Sequence, residues 1–477
     1  MSNKKIITYV GITVFILIYN ACNMPSLVHR TENRTVPAAY NNSSDTNNIA
    51  QIKWKQFFTD PYLNALIDSA LKNNQELNII LQEINIAKNE VRARKGAYLP
   101  FIGVGTGAGM EKVGRYTSQG ASDASTEILP GKKVPDILPN YILGANASWE
   151  VDIWKKLRNA KKSAIHRYLS SVEGKNFMVT NLIAEISSAY YELMALDNEL
   201  DILKKNIEIQ QNALEIVRLE KNAAKVTELA VRKFEAEVLK NQSHQYYLMQ
   251  QITETENRIN FLVGRFPQPV SRSSQTFIDL AIDTIRAGIP FQLLDNRPDI
   301  KQAEQALAAA KIDVKVAKAE FYPSLTIRAG VGYQAFNPQY FMKSPESLIF
   351  SLAGELVAPL INRNGLKANF ASANSRQVQA VYNYERTILN AYIEVANQLS
   401  NISNLKKNYD LKAKQVEALT ASIDISIVLF KSARADYMEV LLTQRDALVS
   451  KFELVETKMQ QMNAKVNMYR ALGGGWR

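Results

Sequence analysis

The sequence predicts a mainly α-helical chain with a smaller β portion that would lie in a membrane. Three observations carry that prediction. Two stretches of about a hundred residues hold almost no helix breaker. Four short segments switch from a helical period to a period of two. The order of elements is written twice along the chain.

The first 22 residues read as a targeting segment. Lys4 and Lys5 precede an apolar run from Ile6 to Tyr19, too short to span a bilayer but suited to a signal-peptide core. The run ends in Tyr19-Asn20-Ala21-Cys22. A small residue before a cysteine at this point resembles a bacterial lipobox, in which the cysteine receives lipid, palmitate included, and becomes the mature N-terminus. Tyr19 stands where leucine is usual, and Asn20 is an atypical neighbour. The other reading is an uncleaved anchor or a buried free thiol. Residues 1–21 are therefore assigned as signal peptide and 22–59 as a lipid-anchored, polar, extended tether.

Helix character begins at Asp60-Pro61, a side chain suited to the N-cap followed by proline at the first helical position. One helix is expected to run to about Arg94. At Leu99-Pro100 the period changes. Ile102, Val104, Thr106, Ala108 and Met110 alternate with four glycines, which makes a strand with one apolar and one bare face. The strict two-residue spacing does not fit a GxGxxG phosphate loop, and no helix follows. A polar loop over 111–140 leads to a second strand, Tyr141 to Trp154. There tyrosine, leucine, alanine, tryptophan, valine and isoleucine alternate with Asn146, Ser148, Glu150 and Asp152. Such alternation with aromatics at the ends suits a transmembrane barrel strand, or one sheet of a soluble sandwich.

Lys155 to about Leu262 predicts a long helical hairpin turning near Asn222–Val226, and 265–295 a connecting segment rich in Pro and Gly. Asn296-Arg297-Pro298-Asp299-Ile300 starts another helix, with Asp299 at the positive end of its dipole. Strands follow from Leu325 and from Leu348 to Ala358. Leu366–Leu472 then contains neither Gly nor Pro, where average usage would place about a dozen. Its apolar residues step by four and three, as Ile388, Tyr392, Val395, Leu399 and Ile402, and later as Leu441, Leu448, Phe452 and Val455. This is a coiled-coil seam, with a turn expected near Lys431–Asp436.

The two copies align in detail. Ala87-Lys88 meets Ala310-Lys311, and Leu99-Pro100 meets Tyr322-Pro323 at one offset. Ala189-Tyr190 with Glu192 meets Ala391-Tyr392 with Glu394. Leu262-Val263-Gly264 aligns loosely with Leu472-Gly473-Gly474. The first repeat is placed at 60–264 and the second at 296–477. Four membrane strands cannot close a barrel alone, because an open edge in lipid leaves backbone groups unpaired at several kcal/mol each. Three chains would supply twelve strands.

These residues resemble the TolC-type outer-membrane efflux channels, in the lipoprotein branch serving resistance-nodulation-division pumps. The most specific pieces are Arg297-Pro298-Asp299-Ile300, Phe321-Tyr322-Pro323-Ser324-Leu325, Trp149 to Trp154, and the terminal Ala471-Leu472-Gly473-Gly474-Gly475-Trp476. The resemblance implies a homotrimer with a shared twelve-stranded barrel in the bacterial outer membrane, among its lipids, and an α-barrel tunnel across the periplasm. It implies a periplasmic adaptor and an inner-membrane pump, and a passive conduit for drugs or other small toxic compounds. Pro359 to Gly365 departs from the family, which often has an aspartate before paired glycines. In the family an acid just past the second hairpin's turn lines a constriction. The matching position is Glu439, with Phe430 and Arg434 preceding it. The family's second acid is replaced by Leu442, and Asp436 is the candidate to compensate. A ring of such carboxylates would select by charge as well as width. The other reading of Glu439 is an exposed helix carboxylate paired with Arg434 or Arg445.

Composition narrows the alternatives. The net charge of +11 is interspersed with carboxylates and forms no dense run, which argues against nucleic acid. One cysteine and three histidines, His29, His166 and His244, form no metal motif and call for no cofactor. No nucleophile and base, metal cluster or phosphate loop suggests an enzyme. Two rivals stay open: the channel of a type I protein secretion system, and a coiled-coil spacer lipoprotein without a pore.

Overall fold

Asp60 caps the first helix as its position demands, accepting from the backbone N–H groups of Tyr62 and Leu63. The structure, a computed structural model, describes residues 26–28, 30–40, 46–281, 286–432 and 434–476. The signal segment and Cys22 lie outside the described residues. The principal elements are α1 (Pro61–Asn73), α2 (Gln75–Ala97), β1 (Phe101–Glu111), β2 (Leu138–Val151), α3 (Lys156–Asn222), α4 (Glu228–Val263), α5 (Pro298–Ala319), β3 (Ser324–Ala335), β4 (Leu348–Val357), α6 (Asn364–Lys431) and α7 (Tyr437–Ala471).

Both hairpin turns fall where the sequence places them, between α3 and α4 and between α6 and α7. The long arms contain 67 and 68 residues. Local readings are corrected. The strand expected over Tyr141–Trp154 runs from Leu138 to Val151, because the Asp152 carboxylate turns away to accept from the Leu157 and Arg158 backbone N–H groups at the start of α3. The helix expected from Asp60 to Arg94 is two, because Asn74 takes extended backbone between α1 and α2. Its side chain donates to the Leu262 carbonyl at 2.8 Å and accepts from the Leu77 N–H at 2.8 Å, so it caps the second piece. The polar loop between β1 and β2 carries a helix, Ser118–Ser125, and a small ribbon, Glu127–Leu129 with Lys132–Lys133.

The chain divides into two compact units. One comprises Asn85–Tyr168 and Gln305–Val381 with the described residues up to Thr31, and holds an antiparallel sheet in the order β1-β2-β3-β4. Its helical packing centres on Ala317, Phe321, Phe370 and Ala373.

The other unit comprises Glu32–Ile84, Leu169–Glu304 and Tyr382–Arg477. Its core gathers Leu63, Ile67, Ile186, Tyr190, Leu193 and Ile259 among others, all fully buried. The tether is extended only in part. Its described residues up to Tyr40 are, and they are fastened by Arg34, which pairs with Glu304 at 2.8 Å, and by Tyr40, which stacks on Tyr392. By contrast, Ile49–Gln51 forms a 3-10 turn and Trp54–Phe57 a short helix whose Trp54 joins the core. The connecting segment is pinned by Arg272, which reaches Asp197 and Glu256 at 2.5 Å each.

The motif Arg297-Pro298-Asp299 is a clamp. Arg297, 6% exposed, donates in bidentate fashion to Asp299 and through Nη1 to Glu394 and the Ala471 carbonyl, both at 2.7 Å. Burial works against its charge, but Asp299 and then Glu394 hold it firmly protonated. Arg470 shares Glu394 at 2.9 Å. The duplication is visible here too. Gly264 and Gly473 both adopt positive φ, 79° and 87°, and a Cβ would strike the backbone oxygens of Asn73 and Asn296, at 2.4 and 2.6 Å respectively. Gly264 therefore corresponds to Gly473, one residue earlier than the sequence alignment at that terminus.

Arg297→Ala should destabilise this unit by about 3 kcal/mol, because it leaves two largely buried carboxylates without their fork. Arg297→Lys should recover little of it, since an ammonium cannot bridge bidentately. Denaturant melts of the three proteins check this, and full recovery by lysine would contradict it. A second test concerns pH. Burial, and secondly the Glu456 carboxylate, push Glu199 up to about 7. The folded chain then holds a proton that the unfolded chain releases near 4.5, so stability should decline as pH rises between those values. Glu199→Gln should flatten that decline in thermal melts; an equal decline in the variant would refute the assignment.

Candidate functional site

The sheet sorts its side chains by register. Opposite residues on adjacent strands share a face, so Val104, Ala145, Val331 and Phe350 fall in one row. Ile102, Ala147, Ala329 and Leu352 form the next row, and Trp149, Ile327 and Gly354 another. This face is apolar apart from Thr106, in the row with Leu143, Tyr333 and Leu348, and lies open: Val104 and Leu352 are 78% exposed and Phe350 82%. A soluble sandwich would bury such a face under a second sheet.

The other face is mostly small and polar, with Phe101, Ile142 and Ile349 among its large apolar members. One row reads Gly105, Gly144, Gly332 and Ile349, and its neighbour Gly103, Asn146, Gly330 and Ser351. Its charges include Arg328 and Glu355, which lie 3.7 Å apart, and Glu150, which pairs with Lys156. The glycines are not equivalent. A Cβ on Gly332 would sit 2.4 Å from the Leu143 carbonyl oxygen, so only glycine fits. A Cβ on Gly105 would meet nothing within 4 Å of the chain. Packing does not require glycine there, and the bare β1 face leaves space in front of the sheet. β1 and β4 each pair on one side only. No described helix is long and apolar enough to cross a membrane, which says nothing of strands.

The hairpin tips carry the predicted acidic residues. Phe430 is half-buried in the last turn of α6, and Arg434 is exposed in the turn. Asp436 occupies the N-cap of α7 without a side-chain capping bond, and Glu439 is exposed in the first helical turn. Glu439 forms no ion pair with Arg434 or Arg445 among the described residues; Arg445 binds Asp446 at 3.1 Å instead. The corresponding acid of the first hairpin is neutralised. Glu228 meets Lys221 and Arg232 at 2.9 Å each, and Lys221 first, then Arg232, hold its carboxyl below the usual range.

Just behind the tips lies a feature the periodicity had concealed. Leu214, Val217, Phe234 and Val238 form one apolar cluster against Tyr437 and Leu441. Leu203, Ile207, Leu248 and Leu448 form the next. Gln210, Asn241 and Gln444 hold the intervening seam positions and are 1%, 4% and 1% exposed. Asn241 donates to Gln210 at 2.7 Å, while Gln210 Nε2 and both polar atoms of Gln444 have no partner. The stride from Leu441 to Leu448 was the signal: it steps over a seam position, and a glutamine sits there. His166 bonds Gln305 and His244 stacks on Tyr247. Among the described residues no cluster of three or more His, Cys, Asp or Glu could hold a metal.

An open-edged sheet with a naked apolar face, joined in sequence to two long hairpins, defines a subunit of a membrane channel. The chain belongs to the outer membrane efflux protein family, whose profile matches residues 66–265 and 289–474. The pyoverdine export outer membrane protein OpmQ of Pseudomonas aeruginosa is 27% identical over 433 residues, 91% of this chain and 89% of that protein. The toluene efflux pump outer membrane protein TtgI of Pseudomonas putida is 26% identical over 445 residues, covering 92% and 91%. Among solved structures, the open state of the MtrE outer membrane channel of Neisseria gonorrhoeae superposes with a TM-score of 0.82 at 22% identity, covering 95% of this chain and 98% of that one. The protein is thus an outer-membrane efflux channel subunit.

If the polar face lines the conduit, Gly105→Gln should lower single-channel conductance in planar bilayers while the sheet still assembles. Gly332→Val should prevent assembly, because a carbonyl oxygen occupies the space its side chain needs. Unchanged conductance in Gly105→Gln would remove this face from the pathway.

Proposed function

We propose that three copies of this chain form one passive conduit, the outer component of a tripartite efflux system. Each contributes four strands to a twelve-stranded barrel and two hairpins to a periplasmic tunnel. A periplasmic adaptor joins the tunnel to an inner-membrane pump of the resistance-nodulation-division type, and lipid on Cys22 anchors the chain. The observation that carries this reading is the pair of unpaired strand edges beside an exposed apolar face. Only further copies of the sheet satisfy both in lipid. The domain plan is a signal peptide at 1–21, a tether at 22–59, repeats at 60–264 and 296–477, and the connector between them.

The conduit performs no covalent chemistry. The cargo follows from the inner-membrane partner: two relatives of similar identity are named for pyoverdine and for toluene, which are chemically unlike. Planar-bilayer conductance and solution mass of the purified protein test the assembly. A trimer with small, cation-selective conductance is expected; a monomer without conductance would leave only a coiled-coil spacer.

At the tips, Glu439 and Asp436 form the gate ring, with Arg434 and Phe430 on the preceding side. The free state of Glu439, against the neutralised Glu228, supports this. An unpaired carboxylate repeated about a threefold axis repels its copies and attracts cations. The double variant Glu439→Ala/Asp436→Ala should admit a bulky antibiotic several-fold faster into cells. Unchanged uptake with normal expression would sink the gate assignment.

A further inference from the structure

The chain's positive charge is concentrated at one end of the sheet. At that end β1 begins, β2 ends, β3 begins and β4 ends. The sequences flanking these four points, residues 88–100, 152–162, 311–323 and 358–367, carry fourteen cationic side chains against four carboxylates. The loops at the opposite end, 112–137 and 336–347, carry five against four. The whole chain's excess is +11, so these flanks hold nearly all of it. Sequence inspection finds no dense basic run because the cations lie in four separate segments, which the topology brings to one end.

Several of these cations have partners: Arg94 with Glu90, Lys156 with Glu150, Arg158 with Asp152. Lys95, Lys155, Lys162, Lys318 and Lys367 are exposed and form no ion pair among the described residues. Aromatic rings stand at the same level. Trp154 stacks on Tyr322 at 4.7 Å, and Lys161 lies 5.7 Å over the ring of Tyr98. Rings of this kind sit at the headgroup level of a bilayer, and lysine stems lie along apolar surface while the ammonium reaches outward.

We propose that these flanks form a basic collar that binds the headgroups of anionic phospholipids in the leaflet where the strands end. The proposal rests on the sheet being embedded in a membrane. Charge complementarity fixes the occupant: a strip of free ammonium groups next to an apolar face and aromatic rings meets phosphate at the one depth where lipid supplies it.

The test reconstitutes the full chain into vesicles of equimolar phosphatidylglycerol and phosphatidylcholine, floats them, re-extracts the protein and measures the retained lipid by mass spectrometry. Phosphatidylglycerol should be enriched on the order of fivefold, and less at high salt. Lys95→Gln/Lys155→Gln/Lys162→Gln/Lys318→Gln should lose that enrichment as an intact trimer, while Lys132→Gln/Lys133→Gln in the opposite loop keeps it. Should the fourfold variant fail to fold, Lys155→Gln/Lys318→Gln decides by the same criterion. Enrichment that survives in the collar variant overturns the proposal and leaves the lysines to a protein partner. Equal loss in the loop variant also overturns it, since diffuse attraction would suffice. Failure to float in vesicles of either lipid overturns the membrane reading and the collar with it.

Discussion

Hydrogen bonding of the strand edges is the constraint on which this structure depends. Inside a sheet each amide finds its partner, but β1 and β4 each present one row to nothing. Water would satisfy those rows; hydrocarbon does not, and each orphan group then costs several kcal/mol. The apolar face rules out water as its surroundings, because Phe350, Leu352 and Val104 would all stand in it. Edge and face together admit one resolution, in which the edge strand of one copy pairs with that of the next until the sheet closes. Folding of the β portion and assembly of the channel are then one event, not two.

Closure also explains the division of labour between the faces. The outer face can be large and branched, because lipid conforms to it. The inner face must leave room, and it does so with Gly103, Gly105, Gly107 and Gly109 on β1. Glycine is a poor strand former, so four in alternation weaken β1 as an isolated strand. Its pairing with β2 along eleven residue pairs holds it in place.

Much of the fold was legible because its signals are periodic. The alternation over Tyr141–Val151 showed the strand and its faces, though not its start at Leu138 or its end before Asp152, and the absence of Gly and Pro marked the long hairpins. Individual polar residues with non-local partners were not legible. Asn74 breaks the first helix because its side chain finds Leu262, nearly two hundred residues away in sequence, and nothing local marks it as more than a tolerable helix residue. The alignment of the two C-terminal glycines slipped by one because only φ and the nearby backbone of Asn296 distinguish Gly473 from Gly474. At the tip the sequence places Asp436 and Glu439 beside the turn but does not show their pairing. Arg445 has Asp446 as a neighbour in sequence, and that contact withdraws it from Glu439. The unpaired state that makes Glu439 a candidate is thus a consequence of competition among charges, which residue spacing does not reveal.

The buried layer of Gln210, Asn241 and Gln444 shows where the helical unit should yield. Above and below it, leucine, valine and phenylalanine fill the seam, although Asn206 Oδ1 and Ser450 Oγ, one to two turns away, are likewise buried without a partner in the chain. Within it, three donor or acceptor atoms lack partners in the chain, and each such atom withholds about 1–3 kcal/mol from the packed state. A polar layer of this kind also fixes register, because sliding by a heptad would bury the same groups against leucine. The Arg297 clamp has the opposite character, with each guanidinium nitrogen matched to a carboxylate or carbonyl oxygen. One end of the hairpins is therefore tightly bonded and the other holds its register but packs at a penalty. Separating α7 from α3 and α4 beside Gln444, about one and a half turns from Glu439, forfeits less apolar packing than separating them at the clusters on either side.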